Sequence, residues 1–215
     1  MTLLRKWGGQ MLNYDGKLVS IMSWITRFFY IQLLWIGFSL FGLVIGGLFP
    51  ATFTLFGISR KWIREGANFP IFQTYLKMFK GMFIKANILG WFMVLFAFSL
   101  YFYYSWFIDE DTLFATLFLG VIFVLLILYL FIVLFLIPVF VHFDVSVLNV
   151  IKYAFITSIS KPLYVIGMLF ILIVNWLFWQ FLTIIFLCIG ISSMIFMLML
   201  MAHTAFVSMA EEAES

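Results

Sequence analysis

Four stretches of the chain, residues 28–59, 86–108, 112–143 and 162–210, contain no Asp, Glu, Lys or Arg. Uncharged apolar runs of this length limit the fold more than any other feature. An α-helix rises about 1.5 Å per residue, so about 20 such residues cross the hydrocarbon of a bilayer. Residues are 66% hydrophobic and 10% charged, against about half and about a quarter in ordinary soluble domains. One soluble core could not hide so much apolar surface. The expected fold is all-α: a single polytopic transmembrane helix bundle over residues 1–215, with the lipid bilayer as its solvent.

The runs divide unevenly into spans. Residues 86–108 fit one span, and 112–143 make a long one that Pro138 can kink. Residues 162–210 require a hairpin. Its turn is expected near Cys188, Gly190, Ser192 and Ser193, giving spans at about 163–186 and 191–210. In the first run, Gly46 and Gly47 can stop one helix and Pro50 can start the next. This places spans at about 19–45 and 50–65, with Gly66 as the stop.

Charge placement separates six spans from five. With six, the twelve Lys and Arg residues all fall on one side, in the N-terminal segment, residues 60–85 and residues 142–161. The other side carries Asp109, Glu110 and Asp111. With five, four basic residues move across. Short cytoplasmic loops are rich in Lys and Arg, so six spans are preferred, with both termini in the cytoplasm and no cleaved leader. Five remain the alternative. Arg60, Lys61 and Arg64 at the end of the second span would snorkel to headgroups.

Two short interfacial cytoplasmic helices are expected. In residues 70–85, Phe72, Tyr75, Leu76, Phe79 and Phe83 recur at helical spacing, away from Lys77 and Lys80. In residues 146–161 the stripe is Val147, Leu148, Ile151, Phe155 and Ile159. Each segment ends on a lysine that opens a span, Lys85 or Lys161. This pattern is consistent with a parallel internal repeat of residues 50–108 and 112–186.

Chemistry-bearing patterns are scarce. No phosphate-binding Gly-rich loop, nucleophile elbow or zinc-ligand motif occurs, so no enzyme activity, cofactor or metal is expected. A net charge of +3 does not point to nucleic acid. His142 and Asp144 are two apart and do not share a helix face; a solvated or capping role is expected. His203, within the last span, is expected to hydrogen-bond a neighbouring helix. Arg27 is expected to snorkel beside Trp24 or to pair, with Asp15 or with a partner subunit. Asn175 and Gln180 flank Trp176 and Trp179, a pair suited to an interfacial belt. Gly42, Gly46 and Gly47 leave room for the close approach of a partner helix. No Asp or Glu lies deep in a span, which disfavours ion-coupled transport.

The block Gly47, Leu48, Phe49, Pro50, Ala51, Thr52, then Arg60, Lys61, Trp62, Glu65 and Gly66, followed by the aromatic helix through Lys77 and Lys85, resembles the YesL-like family of bacterial integral membrane proteins of unknown function. Members are often encoded beside carbohydrate-uptake genes. The resemblance therefore implies a non-enzymatic accessory protein at a sugar importer powered by an ATP-binding cassette. Arg27, Arg60, Lys61, Trp62, Arg64, Lys77, Lys80, Lys85 and Lys161 are the candidate partner or structural contacts. An independent transporter or channel for a small neutral solute is the alternative.

Overall fold

The computed structural model describes the backbone of residues 2–143 and 145–214, and the side chains of residues 18–143 and 145–212. Among the described residues the chain is helical throughout: α1 (Thr2–Phe41), α2 (Leu48–Glu65), α3 (Ile71–Phe107), α4 (Leu113–His142), α5 (Val147–Ser160), α6 (Pro162–Phe181), a single turn α7 (Thr183–Ile185), a π-turn (Phe186–Gly190) and α8 (Ile191–Glu214).

Among the described residues, five helical stretches are long and apolar enough to cross a membrane: Leu18–Phe41, Ile71–Phe107, Leu113–His142, Pro162–Phe181 and Thr183–Glu212. The expected second span, α2, is not among them, because Arg60, Lys61, Arg64 and Glu65 crowd its final turns. It is instead the helix that the others enclose. From Phe53 to Ser59 every residue is buried. A helix buried on all sides has no face left for lipid. The buried hydroxyls are satisfied locally: Thr54 donates to Pro50 O at 2.7 Å and Ser59 to Leu55 O at 2.9 Å. Gly66 stops the helix at a φ of 77°, a conformation that costs glycine little.

The helix α1 runs antiparallel to α2, and α3 to α4. Trp24 and Phe28 of α1 meet Trp62 of α2, while Trp35 donates to Thr52 Oγ1 at 3.0 Å. Tyr129 of α4 donates to Met93 O of α3 at 2.9 Å, and Phe107 packs on Phe114 and Phe118. Lys161, before α6, pairs with Glu212 near the end of α8. The start of the α1 span, the ends of α2, α4 and α8, and the start of α6 therefore share one pole of the bundle. The segment with Asp109, Glu110 and Asp111 lies at the other.

The turn from α1 to α2 uses its glycines internally. A Cβ on Gly42 would lie 2.3 Å from Gly47 Cα, and one on Gly47 would lie 2.6 Å from Phe38 O. Leu43 and Val44, between them, adopt φ values of 55° and 62°. Gly42 and Gly47 thus close a tight turn rather than receive a partner helix. Asn87 of α3 caps the turn by donating to Gly46 O at 3.0 Å.

Three other expectations are corrected. The segment 70–85 is not a separate interfacial helix but the first part of α3, which runs unbroken past Lys85 and Ala86. A lysine does not break a helix, and nothing else there does. Its aromatic stripe packs inward: Phe38 of α1 contacts the rings of Phe72, Tyr75 and Phe79, and Tyr75 donates to Ala51 O at 3.0 Å. The short helix α5 does exist, but it buries Val150, Ala154, Thr157 and Ser158, leaving Leu148 and Ile159 exposed. The hairpin turn falls at Leu182, not near Cys188, Gly190 and Ser193; the last two lie in helical backbone. The π-turn there brings the Phe186 ring over Gly190, where a Cβ would lie 2.4 Å from it.

Candidate functional site at the cationic pole

Arg60 and Arg64 stand one turn apart on α2, so they share a face. That face lines a cavity of about 560 Å³ together with Thr157 of α5, His142 at the end of α4, and His203 and Phe206 of α8. A second cavity of about 590 Å³ shares Arg60, His142 and Phe143 with the first and adds Gly57, Met82 and Lys85. The rings of His142 and His203 are 5.9 Å apart, and Phe206 packs on His142 at 4.6 Å. Within this wall Arg60 Nε and His142 Nδ1 are enclosed and have no hydrogen-bond partner among the described residues.

Among the described residues, ion pairs join Lys61 to Glu65 at 3.6 Å and Lys161 to Glu212. Neither involves Arg60 or Arg64. Both cavities are lined by cations, neutral donors and apolar side chains; no described carboxylate lines either. Asp144, adjacent to this pole in sequence, lies outside the described residues.

The residues singled out from sequence divide between several places. Arg60, Arg64, Lys85 and His203 converge on the cavities. His142, expected to be solvated or capping, is half-buried in their wall. His203 meets that ring rather than a hydrogen-bond partner among the described residues. Trp62 is core: it is 4% exposed, edge-on to Trp24 at 5.5 Å and to Phe28 at 5.7 Å. Lys61 lies over the Phe69 ring at 4.6 Å, and Lys77 and Lys80 are exposed on α3. Arg27 stacks on Trp24 of the preceding turn, 5.5 Å from the ring centroid; the Asp15 side chain lies outside the described residues. Asn175 and Gln180 belong to the last turns of α6, towards the opposite pole, and do not join the site. Trp176 and Trp179 beside them are exposed, as an interfacial belt requires. Asn175 Oδ1 is enclosed without a partner.

Sequence reasoning passed over one buried polar contact. Gln32 of α1, 1% exposed, accepts the Ser192 amide through Oε1 at 2.9 Å. The Ser192 hydroxyl donates to Phe28 O and Ile189 O, each at 3.0 Å. Ser192 follows the π-turn, where the regular i→i−4 ladder is interrupted. The only local signal was a lone amide in an apolar run; its partner is 160 residues away in the chain.

Residues 28–104 match a family described as "Protein of unknown function, DUF624"; the match runs from α1 through α2 to near the end of α3. The chain is 34% identical over 159 residues to the uncharacterized protein YteU of Bacillus subtilis (strain 168), covering 72% of this chain and 69% of YteU. It is 33% identical over 142 residues to the uncharacterized protein YesL of the same organism, covering 65% of this chain and 66% of YesL. A third relative there, the uncharacterized protein YesV, is 27% identical over 146 residues. No solved structure matches.

Proposed function

The chain belongs to the YesL-like DUF624 family of proteins of unknown function, and from that membership we propose a non-enzymatic accessory protein of the bacterial cell membrane, docked through its cationic pole on an importer of carbohydrates. The observation that carries the reading is the polarised charge. Arg60, Arg64 and Lys85 line the cavities of one pole, Lys77 and Lys80 are exposed on α3, none of the five makes an ion pair among the described residues, and acidic Asp109, Glu110 and Asp111 occupy the other pole. Cations concentrated at one end of a bundle orient that end to the cytoplasm. They also supply a surface complementary to an acidic partner and steer its approach. Both termini are then cytoplasmic. The carbohydrate importer, as permease or ATPase subunit, is the partner class implied by the family resemblance.

A mild-detergent pull-down of the tagged protein from its native membranes, read by mass spectrometry, tests this. Recovery of a permease and its ATPase is expected, and Lys77→Glu combined with Lys80→Glu should lower it. Recovery of the protein alone at good yield overturns the docking reading and favours an independent transporter, for which uptake into liposomes is the next experiment.

A further inference from the structure

We propose that the cavity between α2, α4, α5 and α8 is a binding site for a phosphate group, held by Arg60 and Arg64 with His142 and His203 as further donors. The argument starts from what is unsatisfied. Two guanidinium groups on adjacent turns repel, and Arg60 Nε and His142 Nδ1 are enclosed with no partner among the described residues. Buried polar groups are normally bonded, and leaving them unbonded costs free energy. One ligand that relieves both is an anion in the cavity they line.

The identity of that anion follows from the donors. Two fixed positive charges exclude a metal cation, and no described trio of metal-ligating side chains exists. A carboxylate satisfies one arginine fork. A phosphate offers more oxygens and can accept from two guanidiniums and an imidazole together, the geometry that favours arginine. Phe206, Val207 and Met209 form an apolar side of the same cavity, so the group bound there carries an apolar or neutral substituent. Two sources share this chemistry: the headgroup of an anionic phospholipid and a soluble phosphate ester. The position at the pole where the spans end suits either.

The test uses the full chain, purified in a neutral detergent without any partner, so its result is separate from that of the pull-down. One arm adds dioleoylphosphatidylglycerol, with diacylglycerol as the phosphate-free control, and counts bound lipid by native mass spectrometry. The other titrates sn-glycerol 3-phosphate by calorimetry. Saturable binding in at least one arm is expected: the lipid arm alone identifies a headgroup, and the soluble arm a free ester. Arg60→Gln with Arg64→Gln should weaken it at least about tenfold. Lys152→Gln, on an exposed α5 side chain outside the cavity, removes a cation elsewhere and should leave it unchanged. If the double arginine variant does not fold, Arg64→Gln alone, on an exposed side chain, must still weaken binding. No saturable binding in either arm, or equal binding by the folded arginine variants, overturns the site.

Discussion

Replacing Gln32 by Leu tests whether the π-turn is held from outside its own helix. Leu nearly conserves volume, so packing should change little. What changes is the acceptor: the Ser192 amide, in a residue that is fully buried, loses Gln32 Oε1. A buried donor left unbonded costs about 1–3 kcal/mol. Polar contacts between membrane helices average about 0.6 and reach about 1.7 kcal/mol, because the unfolded chain in a micelle also finds partners. The expected loss is therefore about 1–2 kcal/mol, a factor of about 5–30 in the unfolding equilibrium. Ser192→Ala supplies the internal comparison. It removes a hydroxyl that donates to two carbonyls but leaves the amide bonded to Gln32, so no donor is stranded. Its cost should be about 0.5 kcal/mol, near the membrane average. Both variants can be unfolded in mixed micelles by titrating dodecyl sulfate, following tryptophan fluorescence. The reasoning is refuted if Gln32→Leu is as stable as the parent, or costs no more than Ser192→Ala. Either result would mean that the amide has an adequate acceptor within its own helix.

Other substitutions probe other contacts. An added Cβ at Gly90 would lie 2.2 Å from Phe49 Cγ, so Gly90→Ala should destabilise by about 1–3 kcal/mol through overpacking, less the helix propensity gained. Gly81→Ala meets nothing within 4 Å and should be neutral or stabilise by up to about 1 kcal/mol; thermal midpoints of the two variants should move in opposite directions. Lys161→Ala should destabilise by about 1 kcal/mol, because the pair with exposed Glu212 contributes little while the Lys161 side chain, 11% exposed, loses the packing of its stem; no change in the same micelle titration would contradict this. In a Cys188→Ser background, a cysteine at Glu110 should react with an impermeant maleimide from the outer face only; reaction from the cytoplasmic face alone would invert the proposed orientation.

Charge-free runs made the helices legible, and the pairing of Gly47 with Pro50 located the start of α2. What escaped was tertiary. Lys85 looked like a boundary because charge marks the edge of a bilayer, but a helix continues through charge, and α3 does. The turn at Leu182 carries neither glycine nor proline, whereas the glycine and serines farther on drew attention to a place where the backbone remains helical. At the cationic pole, Arg60 and Arg64 stood out, while His142 and His203 were weighed singly. Their shared cavity depends on how α4 and α8 pack on α2, which residue spacing along one chain does not encode. Gln32 escaped for the same reason.

The enclosure of α2 also has a consequence for how the protein is made. Entry into the bilayer is decided segment by segment, and Arg or Lys at a helix centre costs about 2.5–3.5 kcal/mol on insertion scales, less toward the ends. With its charged last turns, α2 has the weakest independent claim on the membrane of the long helices, yet it emerges from the ribosome second. Its seat is completed by α4 and by α8, and α8 is synthesised last. Biogenesis therefore has to hold a poorly inserting helix in waiting, against α1, until the far end of the chain arrives. Variants that loosen α8 should therefore leave α2 unseated and expose it to quality-control proteases.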